Sequence, residues 1–235
     1  LGRQVLGHFL YWTLLMGGTL LMLNLNDEYG GGGAAYLLDR YRKPRREQRI
    51  FMFLDMRSST SVAETLGDTR YFKLLNELYA DIADPVTYSA GEIYQYVGDE
   101  ISVSWRLDRG LRNDRCVLCY LAIRGKLRAR AGHYRRHFGI EPVFKAGFHC
   151  GSVTTGEVGM VKKQVVFSGD VVNTAAHIQA SCNANGVDNL MSRDLCDLLS
   201  LPSDKFTVTP MGDITLKGKK DAMELFTLLP TGGDQ

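Results

Sequence analysis

Two aspartates stand where a strand end and a hairpin turn would bring acids together. Asp55 closes the apolar run Ile50-Phe51-Met52-Phe53-Leu54, and Asp99 follows Val97-Gly98 between two alternating segments. The first pattern predicts a buried strand and the second a tight β-turn. An acid at the end of a buried strand is costly unless it is paired or binds a cation. Two such acids on neighbouring strands could hold one or two divalent metals, Mg²⁺ or Mn²⁺, against a nucleoside triphosphate. Each acid alone has an ordinary reading, a helix cap for Asp55 and a turn residue for Asp99.

The elements that must position these acids follow from the pattern on either side of them. Ile50–Met56 reads as a strand. Ser58, Ser59 and Thr60 are placed to cap a helix that runs to Leu66. Gly67-Asp68 breaks it and opens a second helix, Thr69 to about Ala83, with Phe72, Leu75, Leu78, Tyr79 and Ile82 on one face. Glu92–Tyr96 and Ile101–Trp105 are the arms of the hairpin. Asp114–Phe138 reads as one long helix. Val143–His149 and Val153–Met160 read as strands separated by Cys150-Gly151-Ser152, and Gln164–Phe167 as another. Asp170 opens a helix to about Cys182, and short elements near Leu190, Phe206 and Leu225 complete the chain. This is an α+β sandwich order, not a doubly wound parallel one.

Composition sets the bounds. The chain has 235 residues, is 45% hydrophobic and 23% charged, and carries a net charge of +2. That suits one full domain plus an appendage and argues against a nucleic-acid partner. The cysteines, Cys116, Cys119, Cys150, Cys182 and Cys196, are odd in number and irregular in spacing, so no disulfide framework is expected and a reducing compartment is. Cys116 and Cys119 lie in an apolar helical stretch and read as two small core residues.

The N-terminal part reads differently. Val5–Leu23 carries no formal charge and has about the length that crosses a bilayer, roughly 20 residues. The chain opens on Leu1 rather than Met, so a fragment with further membrane segments upstream is expected. Asn24–Gly33 reads as a polar, glycine-rich turn. The basic run Arg40, Arg42, Lys43, Arg45, Arg46 and Arg49 reads as a solvated linker, and beside an apolar span it also suits a cytoplasmic, membrane-proximal stretch. The expected division is a transmembrane segment over 1–25, a linker over 26–47 and a catalytic domain over 48–235, at the cytoplasmic face of the inner membrane.

FLDMRSST, YQYVGDE, KAGFHCGSVTTGEVG, SGDVVNTAAHIQ and LKGKKDAMELF occur in one chain in this order. Together they resemble the catalytic domain of class III nucleotidyl (adenylate and guanylate) cyclases, over about residues 48 to 229, and most closely the bacterial type with an N-terminal membrane region. The resemblance implies an α+β fold of ferredoxin-like βαββαβ type with an antiparallel sheet. It implies that a ribose 3′-hydroxyl attacks the α-phosphate and that pyrophosphate leaves. By family position, Asp55 and Asp99 bridge two metal ions, with the Met56 carbonyl as a backbone ligand. Backbone amides of Arg57, Ser58, Ser59 and Thr60 cradle the β- and γ-phosphates at a helix N-terminus. Asn173 orients the ribose, and Lys217, with Lys219 close by, reaches the terminal phosphates. The resemblance further implies a homodimer, in which Asp55 and Asp99 come from one protomer and Asn173 from the other.

Three positions depart from the family pattern. Gln95 stands where adenylate cyclases usually carry lysine, and Val166 where aspartate or threonine is usual, so these base-binding positions leave the base open between ATP, GTP and a pyrimidine nucleotide. His177 replaces the arginine that stabilises the transition state. Histidine lacks the bidentate fork, and losing a preorganised cation typically costs about 10²–10³ in rate. Two outcomes follow: a slow enzyme, with Lys162 or Lys163 as a substitute cation, or an inactive pseudo-cyclase that binds nucleotide and dimerises.

Overall fold

The computed structural model describes residues 2–29, 43–159, 164–215 and 222–231. Backbone contacts divide the chain into two units: residues 1–45 with 155–166, and residues 46–154 with 167–235.

The first unit contains helix α1 (Gly2–Tyr29), which continues through Asn24 where the sequence suggested a turn. Its segment Gln4–Leu23 is apolar, with mean hydropathy 1.4, and is long enough to cross a membrane. The same unit holds the far ends of two paired strands, β4 and β5, described below.

The second unit is built on strand β1 (Arg45–Met56). Its apolar run splits by period two, as a strand's side chains must. Ile50, Met52, Leu54 and Met56 enter the main core, and Phe51 and Phe53 enter a smaller core on the opposite face. Both faces are therefore covered, which explains why the run reads as continuous rather than alternating. A one-residue slip would exchange the two sets, and each large side chain is worth about 1.5–3 kcal/mol when buried, so the register is strongly specified.

Helices α2 (Ser59–Leu66) and α3 (Asp68–Tyr88) follow, divided at Gly67, which has φ 70°. Helix α3 runs past the expected end at Ala83 because Pro85 and Val86 in its last turns are themselves buried. Strands β2 (Glu92–Val97) and β3 (Glu100–Arg106) form the expected antiparallel hairpin. The long helix expected over 114–138 is broken. A short helix α4 (Leu107–Leu111) and a 3₁₀ turn precede α5 (Arg115–Ala129), and Arg130 separates α5 from α6 (Ala131–Phe138). Asn113 and Asp114 are both left-handed, with φ 55° and 52°, and Asp114 Oδ1 accepts from the Ser200 amide at 2.8 Å, a tertiary contact that overrides helical periodicity.

Strand β4 (Phe144–Val158) runs without a break through Cys150-Gly151-Ser152, where the sequence suggested two strands. Then come β5 (Gln164–Ser168), α7 (Asp170–Ala180), β6 (Asn189–Ser192), a short α8 (Arg193–Cys196), β7 (Phe206–Thr215) and β8 (Ala222–Pro230). The sheet order is β2-β3-β1-β4-β6-β8-β7, with β5 on β4. Pairing is antiparallel in the hairpins but parallel between β4 and β6, so the sheet is mixed.

One correction concerns the basic run. Arg49, read as linker, lies inside β1 and is 1% exposed. Its guanidinium bonds Glu47 at 3.0 Å, Glu92 at 2.8 Å and Ser104 Oγ at 2.8 Å, and its Cζ lies 4.5 Å from the centre of the Phe167 ring. Burial opposes that charge, and the two glutamates outweigh it and raise the pKa.

Candidate active site

Strand pairing places the two acids. Leu54 of β1 lies opposite Ile101 of β3, so Asp55 reaches the tip of the β2–β3 hairpin. That tip turns at Gly98, whose φ of 61° favours a residue without Cβ. Asp99 Oδ2 accepts from the Met56 amide at 3.3 Å, which ties the turn to the end of β1. The Tyr79 hydroxyl, from α3, donates to the Gly98 carbonyl, and the Tyr79 ring packs on Tyr96 with centroids 4.3 Å apart. These aromatic contacts are a brace for the turn that the motifs did not reveal.

The electrostatics are those of crowded acids. Burial holds Asp99 above the usual carboxylate range, the Ser59 hydroxyl pulls it down, and the Asp55 carboxyl beside it pushes it up again. Glu100 is raised by burial and by both aspartates. Tyr71 is pushed up to about 12 by burial and then by Asp99, Tyr79 and Asp55. Burial is the main reason these groups resist ionising, and the neighbouring carboxylates add to it; the added part is what a bound cation would relieve. No cluster of three or more Asp, Glu, His or Cys groups able to hold a metal exists among the described residues. The ligands expected from the sequence are two carboxylates, Asp55 and Asp99, and the Met56 carbonyl. That fits Mg²⁺-like ions, which use one or two carboxylates and complete their shell with water and substrate phosphate.

Lys145 and Gln179 were not singled out in the sequence, and both reach Asp55. Lys145 Nζ lies 2.9 Å from Asp55 Oδ2, and Gln179 Nε2 donates to the same oxygen at 3.2 Å. A signal for Lys145 did exist. It is a charged residue inside a strand that is otherwise buried, Phe144–Cys150, and the reasoning that flagged Asp55 applies to it equally.

Of the expected phosphate cradle, Ser59 and Thr60 form the first turn of α2. Ser58 precedes that turn in a left-handed conformation, with φ 58°, and its side chain makes no capping bond, contrary to the capping role read from sequence. Arg57 is committed elsewhere: its amide donates to the Val143 carbonyl at 2.8 Å and its guanidinium pairs with Asp188 at 2.6 Å. Gln95 lies on β2 at a register shift, half-buried, opposite Ser102. Val166 lies in β5 and is half-buried. Asn173 is exposed on α7, and His177 one turn later is half-buried. Lys217 and Lys219, like Lys162 and Lys163, lie outside the described residues.

The mixed sheet, with a main core on one face of β1 and a smaller core on the other, carries the two acids at a hairpin tip. The model of the adenylate and guanylate cyclase catalytic domain family matches residues 42–230, and the chain belongs to that family. "Adenylate cyclase 2" of Rhizobium meliloti (strain 1021) is 34% identical over 192 residues, covering 82% of this chain and 53% of that protein. The chain thus spans about half the length of this relative. The crystal structure of the adenylyl cyclase CyaB from P. aeruginosa is similar with TM-score 0.70 at 19% identity, over 80% of this chain and 96% of that one. The guanylate cyclase domain of RhGC from Catenaria anguillulae, in complex with GTP, is similar with TM-score 0.65 at 18% identity, over 79% of this chain and 98% of that one.

Proposed function

We propose that this chain is a nucleotidyl cyclase that converts a nucleoside triphosphate, ATP by default, into a 3′,5′-cyclic nucleotide and pyrophosphate. The observation that carries this reading is the Asp55–Asp99 pair, held at adjoining strand ends beside the N-terminus of α2. Divalent ions bound there, Mg²⁺ or Mn²⁺ and two per site, would lower the pKa of the attacking hydroxyl and neutralise charge on the phosphates. The 3′-oxygen bonds to the α-phosphorus as its proton leaves, and the bond to pyrophosphate breaks in line. Amides of Ser59 and Thr60 face the phosphates. Lys217 serves the terminal phosphates.

Asn173 supports a shared site. It is exposed, whereas Gln179, about 240° further round the same helix at 3.6 residues per turn, holds the Asp55 of its own chain. Asn173 therefore serves the ribose bound to a second copy, in a homodimer with two equivalent sites. The exposed apolar helix Gln4–Leu23 anchors the protein in the cytoplasmic membrane, with the domain at 48–235 in the cytoplasm. Gln95 and Val166 meet the base. His177 favours a second reading, a pseudo-cyclase, because it removes a fixed cation from the reacting phosphate.

The deciding experiment incubates the purified protein with ATP, GTP, CTP or UTP and Mn²⁺ and scores cyclic product by mass. Cyclic AMP above the other products supports the default; no cyclic product from any of the four supports the pseudo-cyclase.

A further inference from the structure

The two donors on Asp55 Oδ2 differ in what an arriving cation does to them. Lys145 is itself a cation and competes with a metal for the carboxylate. Gln179 is neutral, and its amide can stay on Oδ2 while the carboxylate's remaining lone pairs face an ion. Gln179 is 4% exposed, so its amide has little access to solvent. Its position is also fixed from behind. Helix α7 lies flush on β4 at Gly147, where an added Cβ would stand 2.2 Å from Gln179 N, 2.5 Å from Gln179 Cα and 2.6 Å from the Ala175 carbonyl oxygen. Backbone-on-backbone contact leaves no slack, so the height of Gln179 above the sheet is set by the strand that also carries Lys145.

We infer that Gln179 is a positioning residue for the metal centre: it holds the Asp55 carboxylate in one orientation through Oδ2, so that the ion meets an already aligned ligand. The inference rests on the reading of Asp55 as a metal ligand. Partners that orient a ligand in this way typically account for about 10–100-fold in metal affinity.

The test titrates Mn²⁺ alone into the full chain and counts free ion by electron paramagnetic resonance, so no turnover is needed. Gln179→Met conserves volume but removes the donor, and Gln179→Asn draws the amide back by one methylene. Thermal unfolding confirms that each variant is folded, and where the Met variant fails to fold, the Asn variant decides. The expected result is Mn²⁺ binding weakened by about 10-fold or more in Gln179→Met, with Asn between Met and parent. Folded Gln179 variants that bind Mn²⁺ as the parent does would overturn the inference. Asp55→Asn is the control: Mn²⁺ binding unchanged in that variant would overturn the metal assignment itself, a different result from failure at Gln179 alone.

Discussion

Lys145 Nζ sits 2.9 Å from Asp55 Oδ2, and the lysine side chain is 6% exposed while the aspartate keeps 29% of its surface in solvent. The pair is asymmetric. Removing the acid strands a buried ammonium, whereas removing the lysine leaves a carboxylate that water still reaches.

The two candidate metal aspartates should therefore differ in stability when replaced. Asp55→Ala is expected to lose about 2–4 kcal/mol of unfolding free energy, because Lys145 is left unpaired. Asp99→Ala should stay within about 1 kcal/mol of the parent, since it relieves a crowded acid. Adding Lys145→Met to Asp55→Ala should restore part of the loss. Urea denaturation of the four proteins measures this. Equal stability of the two alanine variants would show that the ion pair contributes nothing.

Asp99→Ala is then the cleaner probe of catalysis. It should abolish cyclic product while keeping the fold. Asn173→Ala should also be inactive. When the two are mixed and allowed to exchange subunits, each mixed dimer holds one doubly defective site and one intact site, so partial activity should return. Proven exchange without recovery would mean that each chain carries a complete site.

His177→Arg replaces an imidazole with a planar, forked guanidinium. If the transition state is under-stabilised, kcat should rise by about 10-fold or more, with KM less affected. Steady-state kinetics distinguish three outcomes. A gain marks a slow cyclase, silence with every nucleotide supports the pseudo-cyclase, and a loss shows that the histidine is adapted to this site.

Alkali should destabilise the chain through its buried thiols. Burial pushes Cys119 and Cys182 up to about 12 and Cys150 up to about 11. A raised folded-state pKa contributes stability that is present below the unfolded thiol pKa of about 8.5 and is lost as pH rises through the folded value. The midpoint of thermal unfolding should thus fall between about pH 9 and 11, and alkylation at pH 8 should be slow until the chain unfolds. Rapid alkylation of all five cysteines in the folded protein would contradict the burial.

The strand that ends in Asp55, the hairpin that carries Asp99, the helix that carries Asn173 and the order of the fold were legible in the chain. Each is a local pattern: an apolar run closed by an acid, a Gly-Asp turn between alternating arms, a helix opening at Asp170. The same local reading failed where distant segments meet. It gave Arg49 to a linker, and it passed over Lys145 and Gln179. Arg49 is buried because Ser104, on the neighbouring strand β3, and Glu92, on β2 beyond it, are far along the chain and converge on its guanidinium. Gln179 reaches Asp55 across 124 positions, and only because α7 rests on the bare backbone of Gly147. Hydrophobic period and turn chemistry act within a few residues and are written in the sequence. Which donors converge on one carboxylate oxygen depends on strand order and on how closely a helix approaches its sheet, and only the packed structure decides that.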